Sequence, residues 1–146
     1  MSRPTGYSLV VTCLLCVAFH NAFAQHTKIN CNSFRDTTLH KLIYKIVDQQ
    51  PQPVGGIEKL GKQLLKSLKC PSGDADYSGQ IIIAFVVEAD GKIDGKRIVK
   101  DLSDDQHFFS KQVFTIVDHV KWNPGSCNGK RVPVLYILPL NIDLQE

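Results

Sequence analysis

The sequence has few of the residue patterns that mark a catalytic, nucleotide-binding or nucleic-acid-binding protein. No G-x-G-x-x-G motif follows a strand-like segment, and no two histidines have the i, i+4 spacing of a zinc site. Basic residues form no run, and the net charge is only +3, which is too small to indicate a nucleic-acid partner. We therefore predict no catalytic activity, no cofactor, no metal and no nucleic-acid partner.

The first 24 residues differ from the rest in composition. Arg3 gives a weakly basic start, Leu9 to Phe19 form an apolar run, and Ala22-Phe23-Ala24 is a signal-peptidase pattern that places cleavage before Gln25. This pattern predicts a signal peptide over residues 1–24 and export to the periplasm. The alternative is a retained leader that anchors the protein in the inner membrane, but the apolar run is about half of the ~20 residues that a spanning helix needs.

Cysteine is scarce in the predicted mature chain, since Cys13 and Cys16 leave with the leader. Cys31, Cys70 and Cys127 remain, and an oxidising compartment favours a disulfide between two of them. The sequence leaves open which two pair, and the odd number leaves one thiol over.

The 146 residues, 43% of them hydrophobic, predict one domain, with no internal repeat or low-complexity linker. Residues 25–43 are predicted as an N-terminal lead-in, mobile over the polar stretch 25–38, and residues 44–146 as the folded domain. Leu39 to Val47 is more apolar, and its pattern fits either a short helix or a strand.

One helix-like and two strand-like patterns follow the break at Gly55-Gly56. Ile57 to Leu68 has helical spacing, and Gln80 to Glu88 contains seven consecutive apolar residues, typical of a central strand. Asp90-Gly91 predicts a tight turn into a second, antiparallel strand, Ile93 to Lys100. The predicted helical face and the predicted core positions of the second strand are, in order, Ile57, Leu60, Leu64, Leu65 and Leu68, then Ile93, Ile98 and Val99.

A second helix and a closing strand complete the predicted order α-β-β-α-β. Ser103 to Gln106 has the form of a capping box, and helical spacing continues from Phe108 to Val120. The last strand, Arg131 to Leu144, contains Pro133 and Pro139. Because proline cannot donate to a ladder, we predict that this strand lies at a sheet edge.

Several landmarks follow one another along the chain, namely Tyr44-Lys-Ile-Val-Asp48, Pro53-Val-Gly-Gly56, Pro71, Gly79 with the following apolar strand, Asp90-Gly91, Lys121-Trp122-Asn-Pro-Gly125 and Leu138-Pro139-Leu140-Asn141. Landmarks of this kind occur in the same order in the C-terminal domain of TonB, and Tyr44 to Leu144 resembles that family, especially its Bacteroidetes-type energy transducers. The resemblance implies an α+β fold with a small antiparallel sheet of about three strands and two helices on one face. Trp122 is expected in the core.

The resemblance also implies a function, which is to pair with a short extended segment, the TonB box, of outer-membrane receptors by strand addition. The predicted partner-binding residues are Val132, Val134, Tyr136 and Leu138. The leader has a cleavage pattern and only residues 25–43 separate it from the matched region, which argues against force transmission, so we favour a periplasmic binding module. The alternatives are a signal-anchored energy transducer and a secreted enzyme or inhibitor that shares only the fold. An open edge strand also permits a strand-paired homodimer.

Overall fold

The computed structural model describes residues 30–70, 77–102 and 107–144. The predicted signal peptide and the predicted capping box lie outside this part of the chain. Within it, no helix combines the length and apolarity needed to cross a bilayer. The elements are β1 (Asn32–Arg35), β2 (Leu42–Ile46), β3 (Gln52–Pro53), α1 (Gly56–Ser67), β4 (Tyr77–Val87), β5 (Ile93–Lys100), α2 (Phe108–His119), β6 (Trp122–Asn123), β7 (Ser126–Cys127), β8 (Lys130–Arg131) and β9 (Val134–Leu144).

The main sheet has five strands in the order β1-β2-β9-β4-β5. β9 is the middle strand, and β4, beside it, pairs antiparallel with both of its neighbours and is registered against β9 along its whole length. β2 runs parallel to β9, so the sheet is mixed. The expectation of about three antiparallel strands is therefore wrong in number and direction. The element order also differs from the predicted α-β-β-α-β: α1, β4, β5, α2 and β9 follow one another in that sense, but β1, β2 and β3 precede α1, and β6, β7 and β8 lie between α2 and β9.

Both helices pack on one face of this sheet, because their buried residues and alternate residues of β4 and β9 form a single apolar cluster. Its members are Leu60, Leu64, Leu68, Ile81, Ile83, Phe85, Val87, Phe109, Val113, Val117, Trp122, Leu138 and Ile142. The placement of Trp122 in the core is confirmed. Three predicted core residues are wrong: Ile57, Leu65 and Val99 are exposed, because the buried face of α1 is narrower than its apolar pattern and β5 turns Val99 to solvent.

The turn between β4 and β5 is as tight as Asp90-Gly91 predicts. The Gly91 N–H donates to the Glu88 carbonyl at 2.9 Å, and Gly91 has a φ of +86°. A Cβ at Gly91 would lie 2.4 Å from the Trp122 carbonyl oxygen, so only glycine fits at this point.

β1 and β2 form an antiparallel hairpin, the N-terminal hairpin, with its turn at residues 36–41. The predicted mobile lead-in is wrong for its described part, which contains β1, and the open choice for Leu39 to Val47 resolves as a strand. The turn reaches across the sheet face opposite the helices. There, Leu39 occupies the space beside Gly95 and Val86 that a Cβ on Gly95 would need.

Candidate partner-binding edge

β9 presents its main chain differently to its two neighbours. The Tyr44 N–H of β2 donates to the Pro133 carbonyl at 2.9 Å, so this carbonyl points away from β4. Main-chain groups alternate in direction along an extended strand, and the register of β9 with β4 is unbroken. The main-chain groups of the odd-numbered residues of β9 therefore face away from β4, and those of the even-numbered residues pair with it.

The pairing of β2 with β9 involves one residue pair, Tyr44 with Val134. Beyond it, none of the residues that the structure describes forms a strand along this side of β9. We call Ile137–Asp143 the open segment. Its outward main-chain groups belong to Ile137, Pro139, Asn141 and Asp143. Unpaired amides and carbonyls of this kind are what an incoming strand can bind.

Pro139 fits this geometry. A proline facing β4 would interrupt the ladder, since it has no N–H, yet the register with β4 continues through Ile82 and Pro139 without a shift. Pro139 thus lies with its ring nitrogen on the open side, where no hydrogen bond is lost. The open segment accordingly offers a carbonyl but no donor at this position.

The four predicted partner-binding residues have their side chains turned inward. Val134 and Leu138 are buried in β9, and Val132 is buried just before it, where its N–H donates to the Gly125 carbonyl at 3.1 Å. The Tyr136 ring lies 5.5 Å from the Phe85 ring and 5.0 Å from the Trp122 ring, and burial raises the pKa of its phenol. The structure places these residues in two apolar clusters, and the main chain of the three that lie in β9 (Val134, Tyr136 and Leu138) faces β4.

The residues that sequence reasoning missed are the alternate ones on the opposite face of β9. Ile137 is 57% exposed, and Pro139, Asn141 and Asp143 are also exposed. The Asn141 side-chain oxygen accepts from the Gln80 amide at 3.3 Å. The available signal was the period-2 pattern itself, because the residues between the apolar ones must face the other way.

β9 is not the rim of the sheet, contrary to the prediction made from its prolines. A proline cannot donate, but its carbonyl still accepts, and Pro133 does so from Tyr44. β2 can therefore lie alongside the first residues of β9. The edge character that the prolines indicate holds only for the open segment, farther along the strand.

Charged pairs fasten the turn of the N-terminal hairpin to the β4–β5 end of the sheet. Asp36 is buried, accepts from the Thr38 and Leu39 N–H groups at 2.9 Å each and pairs with Arg97. The Leu39 N–H, followed by Arg97, holds the pKa of Asp36 below its usual value. Lys41 bridges two carboxylates, Glu88 at 2.6 Å and Asp94 at 2.8 Å. Its hydrogen bond with Asp94 and then that with Glu88 raise the pKa of the Lys41 ammonium.

A disulfide joins the base of the hairpin to the domain. It links Cys31 and Cys127, 96 residues apart, and leaves Cys70 as the free cysteine of the described chain. Beside it, Gln49 and Ser126 exchange two main-chain hydrogen bonds of 3.2 and 2.9 Å. Within the described residues, Cys31, Asp48 and Cys127 form the one group with three metal-ligand atoms close together. Its two sulfurs are bonded to each other, so neither offers the thiolate that a metal needs.

Residues 73–144 match the family model described as Gram-negative bacterial TonB protein C-terminal. The chain belongs to the TonB C-terminal family. The match spans β4, β5, α2 and β9 and so includes the open segment, which lies in β9. It leaves β1, β2 and α1 outside. Among curated proteins, none matches the chain significantly. Members of the TonB family act in the cell envelope and interact with outer-membrane proteins, so this chain is a TonB-like, receptor-interacting module.

Proposed function

We propose that the protein is a periplasmic binding module that takes up an extended, TonB-box-like segment of an outer-membrane receptor by strand addition to the open segment. The proposal assigns no reaction to the chain and no force transmission. The observation that carries it is the set of outward main-chain groups from Ile137 to Asp143, which no described strand pairs.

The geometry favours a short partner strand. The open segment spans seven residues, and alternate residues face outward, so a partner can meet the main chain of Ile137, Pro139, Asn141 and Asp143. Pro139 has a main-chain carbonyl but no N–H, so the partner residue opposite it can donate a hydrogen bond to Pro139 but cannot accept one. The exposed Ile137 side chain adds an apolar contact at the end nearest β2. Main-chain pairing then provides affinity, and the neighbouring side chains provide selectivity.

The signal-peptide pattern and the disulfide support the periplasmic part of the proposal. A disulfide between Cys31 and Cys127 persists in an oxidising compartment and is rare in the cytosol. The signal-peptide pattern of residues 1–24 leads to the same compartment. Removal of that leader would leave a mature protein beginning at Gln25, and mass spectrometry of the protein purified from the envelope tests this directly.

Site-specific photocrosslinking tests the binding edge. A benzophenone amino acid replaces Ile137 in the full-length protein expressed in its host, and crosslinked partners are identified by mass spectrometry. We expect an outer-membrane receptor, crosslinked through the segment that precedes its barrel or plug.

The matched control places the same photoreactive residue at Val99, an equally exposed β-branched residue on β5 at the other side of the sheet. We expect no receptor from this position. Equal labelling from both positions, or no envelope partner from Ile137, would rule out strand addition at the open segment.

A further inference from the structure

The N-terminal hairpin covers the beginning of the edge that an incoming strand would use. Tyr44 of β2 bonds to Pro133 and pairs with Val134, and this is strand pairing on the outward side of β9. A partner and β2 would therefore compete for the same main-chain groups at this end. The hairpin shortens the available edge to the open segment.

The hairpin is fastened differently from the rest of the sheet. Its pairing with β9 is limited to one residue pair, and Leu42 and Ile46 of β2 remain 49% and 52% exposed. Ile43 and Val47 are buried, and the turn adds the pairs of Asp36 with Arg97 and of Lys41 with Glu88 and Asp94. These contacts hold the hairpin against β9, which we call the closed position. None of them belongs to the apolar cluster between the helices and the sheet, so breaking them leaves that cluster in place.

The disulfide is the one covalent tie among these contacts. Cys31 precedes β1 directly and is partly exposed, and Cys127 belongs to β7, close to the start of β9. The bond holds the amino-terminal end of the hairpin next to β9. An opened hairpin therefore has a high effective concentration at its docking position and pairs with β9 again rapidly. Without the bond, the hairpin is covalently connected to the domain at one end only, through residues 47–51.

We propose that the N-terminal hairpin is a releasable cover of the docking edge and that the Cys31–Cys127 disulfide controls its release. This inference rests on the proposed function for its biological meaning. A dithiol of a thiol–disulfide oxidoreductase reduces the bond: the S–S bond breaks, Cys31 and Cys127 each gain one electron and one proton, and the donor dithiol becomes a disulfide. Release adds the outward groups of Pro133 and Leu135 to the open segment and lengthens the edge toward the amino end of β9.

Hydrogen exchange measures the release without any partner. The Tyr44 amide reports on the hairpin, since it donates to Pro133, and the Phe85 amide in the middle of β4 reports on the core. In the full mature protein, we expect reduction to accelerate exchange at Tyr44 by at least about tenfold and to leave Phe85 unchanged. The double variant Cys31→Ser, Cys127→Ser should behave like the reduced protein, and Cys70→Ser, which keeps the disulfide, like the oxidised one.

Two results would overturn the cover. If Tyr44 exchanges at the same rate in the oxidised and reduced proteins, the disulfide does not control the hairpin. If Tyr44 and Phe85 accelerate together, the hairpin opens only when the domain unfolds. Either result leaves the photocrosslink from Ile137 unaffected, so failure of the cover and failure of the proposed function are distinguishable.

A peptide probe tests whether release exposes a strand-binding edge. A fluorescent synthetic peptide with the sequence of residues 41–47, a free copy of β2, should bind the reduced protein roughly tenfold more tightly than the oxidised protein in fluorescence anisotropy, as expected if the cover is closed about nine-tenths of the time. A scrambled peptide of the same composition is the control. Equal binding of the copied peptide to both redox states would contradict the proposal.

Discussion

The two sides of β9 are built from different interactions. Toward β4, every residue from Val134 to Leu144 is in register, and alternate side chains of the two strands contribute to the core beneath the helices. Toward β2, one residue pair joins the strands, and charged groups and a disulfide at the margins hold the hairpin. The same strand is thus a structural element on one side and an accessible edge on the other.

The contact of β9 with β4 and the contact of β9 with β2 differ in free energy because they bury different side chains. A fully buried aliphatic or aromatic side chain contributes about 1.5 to 3 kcal/mol, and β4 contributes Ile81, Ile83, Phe85, Val86 and Val87. Partly exposed ion pairs such as those of Lys41 contribute about 0 to 1 kcal/mol each. Ile43 and Val47 are the buried apolar side chains of β2 and the residue after it, so separation of β9 from β2 exposes fewer buried side chains than separation of β9 from β4.

The largest expected change in the free energy of unfolding comes from introducing proline into β9, and its size should differ between two adjacent positions. Leu138→Pro removes a donor that faces β4 and a buried side chain, so we expect a loss of about 4 kcal/mol or more in the free energy of unfolding. Ile137→Pro places the ring on the open side and should cost on the order of 1 kcal/mol. Urea unfolding of both variants measures the difference.

Ile137→Pro also removes the first donor of the open segment, so binding of the receptor segment should weaken although the protein remains folded. The photocrosslink is then recorded from an exposed neighbouring position, Asn141, with and without the proline. Similar destabilisation by the two prolines would contradict the alternation of main-chain groups on which the edge depends.

The second largest expected change in the free energy of unfolding comes from removal of the Cys31–Cys127 disulfide. We expect Cys31→Ser with Cys127→Ser to lower the free energy of unfolding by about 2 to 4 kcal/mol, because the disulfide closes a long loop in the unfolded chain. Cys70→Ser should change it by less than about 0.5 kcal/mol, as expected for a residue outside the disulfide and the core cluster. Urea unfolding under non-reducing conditions measures both, and a loss for Cys70→Ser equal to that of the pair would assign the disulfide to the wrong cysteines.

The smallest effect is the pH dependence of the turn. The pKa of Asp36 is lowered in the folded protein by the Leu39 N–H and by Arg97, so its contribution is complete above the unfolded value of about 4 and is lost as the pH falls through the lower folded value. The stability difference between the wild type and Asp36→Asn should therefore be constant above about pH 5 and shrink below about pH 4. Urea unfolding from pH 2.5 to 6 measures it.

Arg97→Gln removes the other partner of the same pair, and its difference from the wild type should follow the same pH profile. A difference that persists unchanged to pH 2.5 would show that the Asp36 carboxylate does not stabilise the turn through its charge.

The regular elements of the matched region could be predicted from sequence because each carries a local signal. The apolar run of β4, the Asp90-Gly91 turn and the helical spacing from Phe108 each depend on neighbouring residues. The exposed side of α1 could not be predicted in the same way, since Leu65 has an apolar side chain at helical spacing and is still exposed. Its burial depends on whether another element lies above it.

The candidate edge was predicted in part. Pro139 lies on the side of the last strand without a complete ladder, whereas Pro133 accepts from Tyr44 of β2, and neither proline indicated which residues would face that side. Val132, Val134, Tyr136 and Leu138 were chosen for their apolar alternation, and the same alternation turns them inward. Leu138 and Tyr136 belong to the cluster beneath the helices, and Val132 and Val134 to a second cluster with Val47. The exposed alternate residues, with Ile137 first among them, became visible only once the register with β4 was known.

The sequence by itself determined α1, β4, β5, α2 and β9, the apolar faces of β4 and α2, and the family, because these depend on the order and spacing of residues along the chain. Tertiary structure alone decided that β2 lies beside β9 and that Cys31 pairs with Cys127. Both contacts join residues roughly ninety positions apart. Such contacts leave no periodic trace in either segment, since they depend on how the intervening chain brings the two together.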